Sequence, residues 1–597
     1  MERKLLITLV LTSLIPLFTV NSHASIKKCD VSLVRGGGID GRDLAQFAAY
    51  YALSDSRADV NESGIVDSAD VAHFAGFFGD SYRLPNILLI VGDDIGLDVT
   101  TDMYPGLIES LESIYGIGSG VRGLPASTPV LNTLAQQGMR FGNAWAHPFC
   151  SPTRATIMTG MYAAKHNVKN YQDPLGQNHT TFVQRLKNEA NYSTAAFGKW
   201  HIAGFPVDTN NGMMPKQAGF ELYIGGLGPA PSSYWNSYEY VVQDDTTTDT
   251  GTRPGNLQPR TLSGIAATTY APVVKAADVI DWINEKDGQN PDKPWFAYFA
   301  FNLSHGVGGN PLMVVPNRDT LDCDENGRIC EEIEDCNGVF GSTSIGSCTG
   351  VQLMRAMTTS MDTVLGKVLE AADSILSDTY VIYISDNGTP MYEGSYQNDL
   401  GYQIGNMYMT TIGRGKGTAY QSGAWEPLVI KGPGIAVGSA SSEFVHAADL
   451  FPTCLELAGL EVAPEGLVYQ DYQGNPTDLD GVSLTPILFG RASTVRDQVT
   501  GYILTETSTP GGGPFGQAAI KVGARNARYK VIRERTSTGS NTYAFYDLLS
   551  DPLEEGDPAS PLGVGDDCEN YDIDYGTGDA RWHYCHLKKM IDDNSIF

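Results

Sequence analysis

Leu84-Pro-Asn-Ile-Leu-Leu-Ile-Val91 runs directly into Gly92-Asp93-Asp94-Ile95-Gly96. The first part is almost wholly apolar, too short for an ordinary helix and too continuous for a half-exposed strand, so it reads as a strand buried on both faces. The same texture returns at Tyr192–Phe197, Trp295–Phe301 and Tyr380–Ile384. Helical signals lie between these runs. Thr128-Pro129 opens a helix that stops at Gly138, Leu353–Leu369 carries apolar residues at helical spacing, and so does Leu450–Leu457. Buried strands alternating with amphipathic helices predict an α/β fold, a large sheet with helices on both faces, over residues 81–495.

Polar residues follow these strands at comparable places. Asp93 and Asp94 come after the first, Lys199 and His201 after the second, His305 after the third, and Asp386-Asn387-Gly388 after the fourth. In an open α/β sheet the crevice beyond the carboxyl ends of the strands is where ligands bind, so separate strands can deliver these groups to one point. Asp93, Asp94, Asp386 and Asn387 offer hard oxygens, which suit Ca²⁺ or Mg²⁺ better than zinc. Asp-Asp or Asp-Asn-Gly alone would read as a turn. Their shared position after strands argues for a metal set.

Cys150-Ser151-Pro152-Thr153-Arg154 adds a different signal. Proline suits the first turn of a helix, which places Cys150 at a helix N-terminus, where the macrodipole favours an anion, with Arg154 one turn further on. The run resembles the CxPxR signature of the sulfatases, in which a maturation enzyme oxidises the cysteine to formylglycine. Gly198-Lys199-Trp200-His201, Asp386-Asn387-Gly388, Ser304-His305 and Gly415-Lys416-Gly417-Thr418-Ala419-Tyr420 before Glu426-Pro427 are similar to further motifs of that family. Thr153 replaces the commoner serine, and Gln421 stands where a glutamate is usual.

The resemblance implies an alkaline phosphatase-like mixed sheet between helices and a sulfuric ester hydrolase activity. It also implies calcium held by Asp93, Asp94, Asp386 and Asn387 together with the modified Cys150. Arg154 and Lys199 would hold the aldehyde hydrate, which attacks sulfur. His305 and Lys416 would bind sulfate and protonate the leaving alcohol, and His201 would take the proton whose loss expels sulfate. Formylglycine-dependent hydrolysis of a phosphonate or phosphate diester is the enzymatic alternative. An inactive binding protein is a third reading.

With 597 residues, more than one domain is expected. Glu2, Arg3 and Lys4 precede an apolar run, Leu5–Val20, and Ser22-His23-Ala24 offers a cleavage site, so residues 1–24 read as a signal peptide of a secreted or periplasmic protein. Residues 25–80 form a separate unit. Asp59, Asn61, Ser63, Asp67 and Asp70 fall at calcium-loop spacing around Gly64. This resembles a dockerin loop and implies a second calcium and a cohesin-like partner. Beyond residue 495, Thr500–Thr505 and Tyr529–Arg533 read as exposed strands of a small antiparallel subdomain over 496–597, and Tyr546-Asp547-Leu548 with Asp551-Pro552-Leu553-Glu554 resembles the closing signature of sulfatase C-terminal subdomains.

Sixty-nine acidic against forty basic residues give a net charge of −29, which argues against nucleic acid and anionic membranes as partners. No later stretch is apolar enough to span a bilayer. Nine cysteines leave at least one unpaired. Cys150 is the natural candidate, Cys454 reads as another buried thiol, and Cys323, Cys330, Cys336 and Cys348 are close enough in sequence for local disulfides. The loops between Gly204 and Pro259, rich in Gly, Pro, Tyr and Trp and including Tyr234-Trp235, read equally as a carbohydrate-stacking surface or as packing residues. For an exported sulfatase with an assembly module, a sulfated polysaccharide fragment is the expected substrate, with an aryl sulfate or a steroid-type ester as the alternatives.

Overall fold

The computed structural model describes residues 84–594 except 118–124, 206–211, 232, 236–237, 244–257, 262–269, 308–312, 322, 324–326, 373–375, 391–414, 499–500, 509–519, 536–540, 555–567, 569–576 and 578. The expected leader and the 25–80 unit with Asp59, Asn61, Ser63, Asp67 and Asp70 lie outside the described residues.

Ten strands make one sheet. In chain order they are β1 (Asn86–Gly92), β2 (Met139–Trp145), β3 (Ser193–Lys199), β4 (Leu222–Gly226), β5 (Tyr238–Gln243), β6 (Gln258–Thr261), β7 (Trp295–Ala300), β8 (Thr379–Ser385), β9 (Leu428–Lys431) and β10 (Ser439–His446). Their spatial order is β10-β2-β9-β8-β1-β7-β3-β4-β5-β6. The centre, β8-β1-β7-β3-β4, is parallel throughout. β9 runs against both its neighbours, and β5 and β6 turn back at one edge. The sheet is therefore mixed, as expected.

The alternation of β1 explains why its apolar run is continuous. Ile87, Leu89 and Val91 enter one core and Leu88 and Ile90 the other. The first core is closed by α1 (Cys150–Thr159), α2 (Phe182–Ala190) and α3 (Leu450–Leu457), and the second by α4 (Pro129–Gln137), α5 (Ala271–Gln289) and α6 (Gly350–Ala371). Thr128 precedes α4 as expected, yet its side chain caps nothing. Asp362, from the middle of α6, accepts the N–H groups of Val130 (2.9 Å) and Leu131 (2.8 Å) instead. These are two of the donors that a helix N-terminus leaves without intrahelical acceptors.

Two residues of β11 (Tyr469–Gln470) pair with β12 (Pro476–Thr477) in a small ribbon. β13 (Ile503–Ser508), β14 (Ile520–Arg525), β15 (Tyr529–Arg535) and β16 (Asn541–Asp547) form a second, antiparallel sheet, backed by α7 (Ala580–Asn594). Its strands are not the exposed ones expected: Ile503, Leu504, Val531 and Ile532 are buried. The sheet is covered on both faces, by α7 on one and on the other by the segment containing Ala419 and Tyr420. Cys323–Cys330, Cys336–Cys348 and Cys568–Cys585 are disulfides, whereas Cys150 and Cys454 are buried free thiols. Among the described residues no helix is long and apolar enough to cross a membrane.

Candidate active site

Because the central strands are parallel, their carboxyl ends share one edge of the sheet. Asp93 and Asp94 follow β1 there, and Asp386 and Asn387 follow β8. Backbone contacts tie the two turns together: Asp386 N–H donates to Gly92 O at 3.1 Å, and Asp94 N–H donates to Asp386 Oδ1 at 3.2 Å. Asp94 adopts a left-handed φ of 65°, rare for a non-glycine residue. The carboxylates of Asp93, Asp94 and Asp386 are buried, with one oxygen of each within 4.8 Å of the others. Burial, followed by Lys199, Asp386, Asp94 and Arg154, sets the Asp93 carboxyl well above its usual range; only the lysine and the arginine oppose the rise.

Asn387 is held by its amide nitrogen, which donates to Asp94 Oδ1 (2.7 Å) and to its neighbour Gly388 O (3.0 Å). Its Oδ1 is buried and has no hydrogen-bond partner. Three crowded carboxylates beside an unsatisfied amide oxygen are a donor set that fits a hard divalent cation.

Three cationic side chains surround this set. Lys199, the last residue of β3, donates to Asp93 Oδ1 and Oδ2 at 2.7 and 2.8 Å. Arg154 reaches Asp386 Oδ2 from Nε and Nη2, and its Nη1 donates to Lys199 O (2.9 Å) and Tyr298 Oη (3.3 Å). Lys416 pairs with Asp94 Oδ1. Burial works against the Lys416 charge, but Asp94 foremost holds its pKa above the ordinary lysine range.

Cys150 is the first residue of α1, as Pro152 predicts, and is 1% exposed. Burial raises the thiol pKa, although Lys199 and Lys416 act to lower it. A thiol held protonated is a poor nucleophile, since the thiolate is the reactive form. The residue is well placed, but its encoded side chain is not activated.

His201 sits two residues past β3 with φ 58°, and neither ring nitrogen has a hydrogen-bond partner. Burial first, then Lys199 and Arg154, depress its pKa well below the ordinary imidazole range, so the ring is held neutral. His305 turns Nδ1 to Gly306 O at 2.9 Å and lies with Nε2 3.9 Å from Asp94 Oδ2. Burial, despite Asp94, takes its pKa down to about 3.

The segment carrying Lys416 is laced to the one carrying Cys150. Gly417 N–H donates to Pro148 O (2.7 Å), Ala146 N–H to Ala424 O (2.9 Å), and Gly388 N–H to Gly423 O (3.1 Å). A side chain at Gly388 would meet Ser422 O at 1.9 Å, which explains the glycine after Asp386-Asn387. The edge thus collects Asp93, Asp94, Cys150, Arg154, Lys199, His201, His305, Asp386, Asn387 and Lys416.

The Sulfatase family profile matches residues 85–460, more than half of the chain. This chain belongs to the sulfatase family. It is 26% identical over 550 residues to a sulfatase of Formosa agariphila, covering 81% of this chain and 84% of that one. It is also 26% identical over 443 residues to human arylsulfatase A, covering 70% and 71%. A solved structure from a Bacteroides thetaiotaomicron locus for metabolism of multiple glycosaminoglycans superposes with a TM-score of 0.59 at 18% identity, over 86% of this chain and 100% of that one. Another, Ps i-CgsB in complex with k-i-k-neocarrahexaose, gives 0.53 at 20% identity over 80% and 88%. The sulfatase described here is accordingly a sulfuric ester hydrolase.

Some of its polar residues were given no role by sequence. Tyr298 meets Arg154 from within β7, where it reads as one more apolar strand position. Glu426 is buried with neither carboxylate oxygen hydrogen-bonded, and burial together with Asp386, Asp98 and Asp94 raises its pKa, which leaves it neutral beside the carboxylate set. Tyr234 is a packing residue and not a stacking surface. It is 1% exposed, and its hydroxyl donates to the backbone oxygens of Asn302 (2.5 Å) and His305 (2.8 Å), bracing the turn that presents His305. Trp235 is stacked on Tyr270 at 5.6 Å.

Proposed function

We propose that this sulfatase is exported and removes sulfate from a sulfated carbohydrate, with Cys150 converted to formylglycine and calcium bound by Asp93, Asp94, Asp386 and Asn387. The observation that carries the reading is the unpartnered Asn387 oxygen beside three buried carboxylates, close to an unactivated cysteine at a helix N-terminus. Calcium would supply a fixed charge against the sulfate oxygens, and a hydrated formylglycine one hydroxyl for attack on sulfur and a second for expelling sulfate. Arg154 and Lys199 orient that hydrate and stabilise negative charge on it. His201, neutral and unpartnered, takes the proton whose removal releases sulfate. Lys416 and His305 bind the sulfate oxygens and protonate the leaving alcohol, the negative charge of the bound sulfate ester raising the His305 pKa from its value without substrate so that the ring can carry a proton.

The carbohydrate assignment is supported by relatives. One is canine N-acetylgalactosamine-6-sulfatase, 26% identical over 442 residues. Another is a structure in complex with its substrate D-glucosamine-2-N,6-O-disulfate, with a TM-score of 0.51 at 18% identity. Residues 1–24 would act as the leader, 25–80 as a dockerin-like module with its own calcium and a cohesin-like partner, and 496–597 as the C-terminal subdomain. Sulfate release from a panel of sulfated oligosaccharides tests the function, alongside mass spectrometry of the Cys150 peptide. Conversion of the thiol to an aldehyde and loss of turnover in Cys150→Ala are expected. Full activity in Cys150→Ala would overturn the reading.

A further inference from the structure

The C-terminal sheet reaches the active-site edge through one buried carboxylate. Glu554 closes the Asp551-Pro552-Leu553 turn in a left-handed conformation, φ 60°, and is fully buried. Its Oε1 pairs with Lys530 of β15, itself fully buried. Its Oε2 accepts the backbone N–H of Gln421 at 2.8 Å. Gln421 opens the short helix Gln421–Ala424, five residues after Lys416. The turn is anchored at its other end by Tyr115, whose hydroxyl donates to Asp551 Oδ1 (2.6 Å) and accepts from Leu553 N–H (2.9 Å).

The same group braces the approach to Cys150. The Gln421 side chain accepts from Trp145 Nε1 at 2.9 Å, and Lys530 Nζ lies 4.5 Å from the centre of a Trp145 ring. Thr505 of β13 donates to Ala146 O at 2.9 Å. Contacts between the two segments, Gly417 to Pro148 and Ala146 to Ala424, then link whatever holds Gln421 to the position of Lys416.

We propose that Glu554 is a positioning residue: by accepting the Gln421 N–H it fixes the Lys416 segment against the Cys150 segment and so sets the ammonium that meets the sulfate group. This deepens the sulfatase reading above and rests on it for the role of Lys416. Lys530 has a separate task. It neutralises the carboxylate so that an acceptor can be buried at the junction, and the contact to Gln421 needs only an oxygen.

Two double variants isolate that oxygen when compared with each other, since both leave the buried Arg525 guanidinium equally without the Glu554 charge that favours it. Glu554→Gln/Lys530→Met keeps an acceptor, and Glu554→Leu/Lys530→Met does not. The affinity for inorganic sulfate, measured by calorimetry on the calcium-loaded enzyme, does not depend on the active fraction that a merely destabilised variant would lose. The Gln/Met variant is expected to bind sulfate within about threefold of the parent. The Leu/Met variant should weaken it by roughly tenfold or more, the scale of one charged hydrogen bond. Parental affinity in the Leu/Met variant would overturn the proposal, and so would a tenfold loss in the Gln/Met variant, which can be read even if the other does not fold. A parent enzyme that binds sulfate and hydrolyses no sulfate ester would overturn the functional reading while leaving this test intact.

Discussion

Arg154 places both Nε and Nη2 on a single oxygen of Asp386, Oδ2, at 2.9 and 2.7 Å. The other oxygen, Oδ1, is thereby left to the backbone N–H of Asp94 and to the carboxylate cluster. A lysine could keep the charge but not the planar fork. Arg154→Lys is expected to lower kcat/KM by roughly a hundredfold, the consequence of losing about two charge-assisted bonds. Circular dichroism should show a retained fold. A variant within a few-fold of the parent in steady-state kinetics would show that the fork is dispensable.

The crowding of Asp93, Asp94 and Asp386 makes the folded state the form that binds a divalent cation. Calcium at about a hundred times its dissociation constant should add roughly 2.7 kcal/mol of stability. Thermal melts with calcium and with chelator should separate accordingly, and activity should return on adding calcium back. Asn387→Ala should reduce that separation, because it deletes the unsatisfied amide oxygen beside the three carboxylates. Identical melts in both conditions would refute the assignment.

The acid limb of the stability curve has two opposing contributors. Burial foremost, with His147 next, depresses the pKa of both His166 and His446 well below the ordinary value. Unfolded histidine titrates near ~6.5, so the unfolded chain takes up protons that the folded one refuses. Stability from these groups is complete above that pH and falls away below it. Asp362 behaves oppositely. Burial raises it to about 7, against the two N–H bonds from Val130 and Leu131, so its contribution is present in acid and lost as pH rises from about 4 towards 7. Denaturation midpoints between about pH 4.5 and 6.5 should therefore fall less steeply in His446→Asn and more steeply in Asp362→Asn, each by roughly 1.4 kcal/mol per pH unit. Curves parallel to the parent would contradict the assignment.

The cap of α4 gives a comparison between two nearby residues. Thr128 occupies the N-cap position, but its hydroxyl is buried without a hydrogen-bond partner. Thr128→Ala breaks no hydrogen bond and loses one buried methyl group, so it should cost about 0.8 kcal/mol. Asp362→Ala, which strands two buried donors, should cost about 1–3 kcal/mol. Equal losses in chemical denaturation would show that the side chain at 128 matters in some other way.

The central strands were legible because a strand buried on both faces needs an unbroken apolar run, and few other elements of that length do. Much of the catalytic edge was legible because Asp93, Asp94, Lys199, His201, His305, Asp386 and Asn387 stand two to four positions beyond those runs, where parallel strands deposit them together, whereas Cys150, Arg154 and Lys416 follow none of these runs and showed only through motifs. Features that depend on distant partners were not. Tyr234 looks like any loop aromatic until its hydroxyl is found on the Asn302 and His305 carbonyls. Asp362 lies more than two hundred residues from the helix it caps, and β13 and β15 looked exposed because the covering helix and the Ala419–Tyr420 segment come from elsewhere in the chain. Lys530 carries no local sign of Glu554.

If Cys150 is converted to formylglycine as proposed, its near-complete burial sets an order of events in biosynthesis. A modifying enzyme must grasp the cysteine and the residues around it, and every residue from Cys150 to Thr159 is buried once α1 has packed. Oxidation of this thiol therefore has to come before the chain closes around it. In a host whose modifying enzyme is absent or slow, the product would be a soundly folded protein that later exposure to that enzyme could not repair.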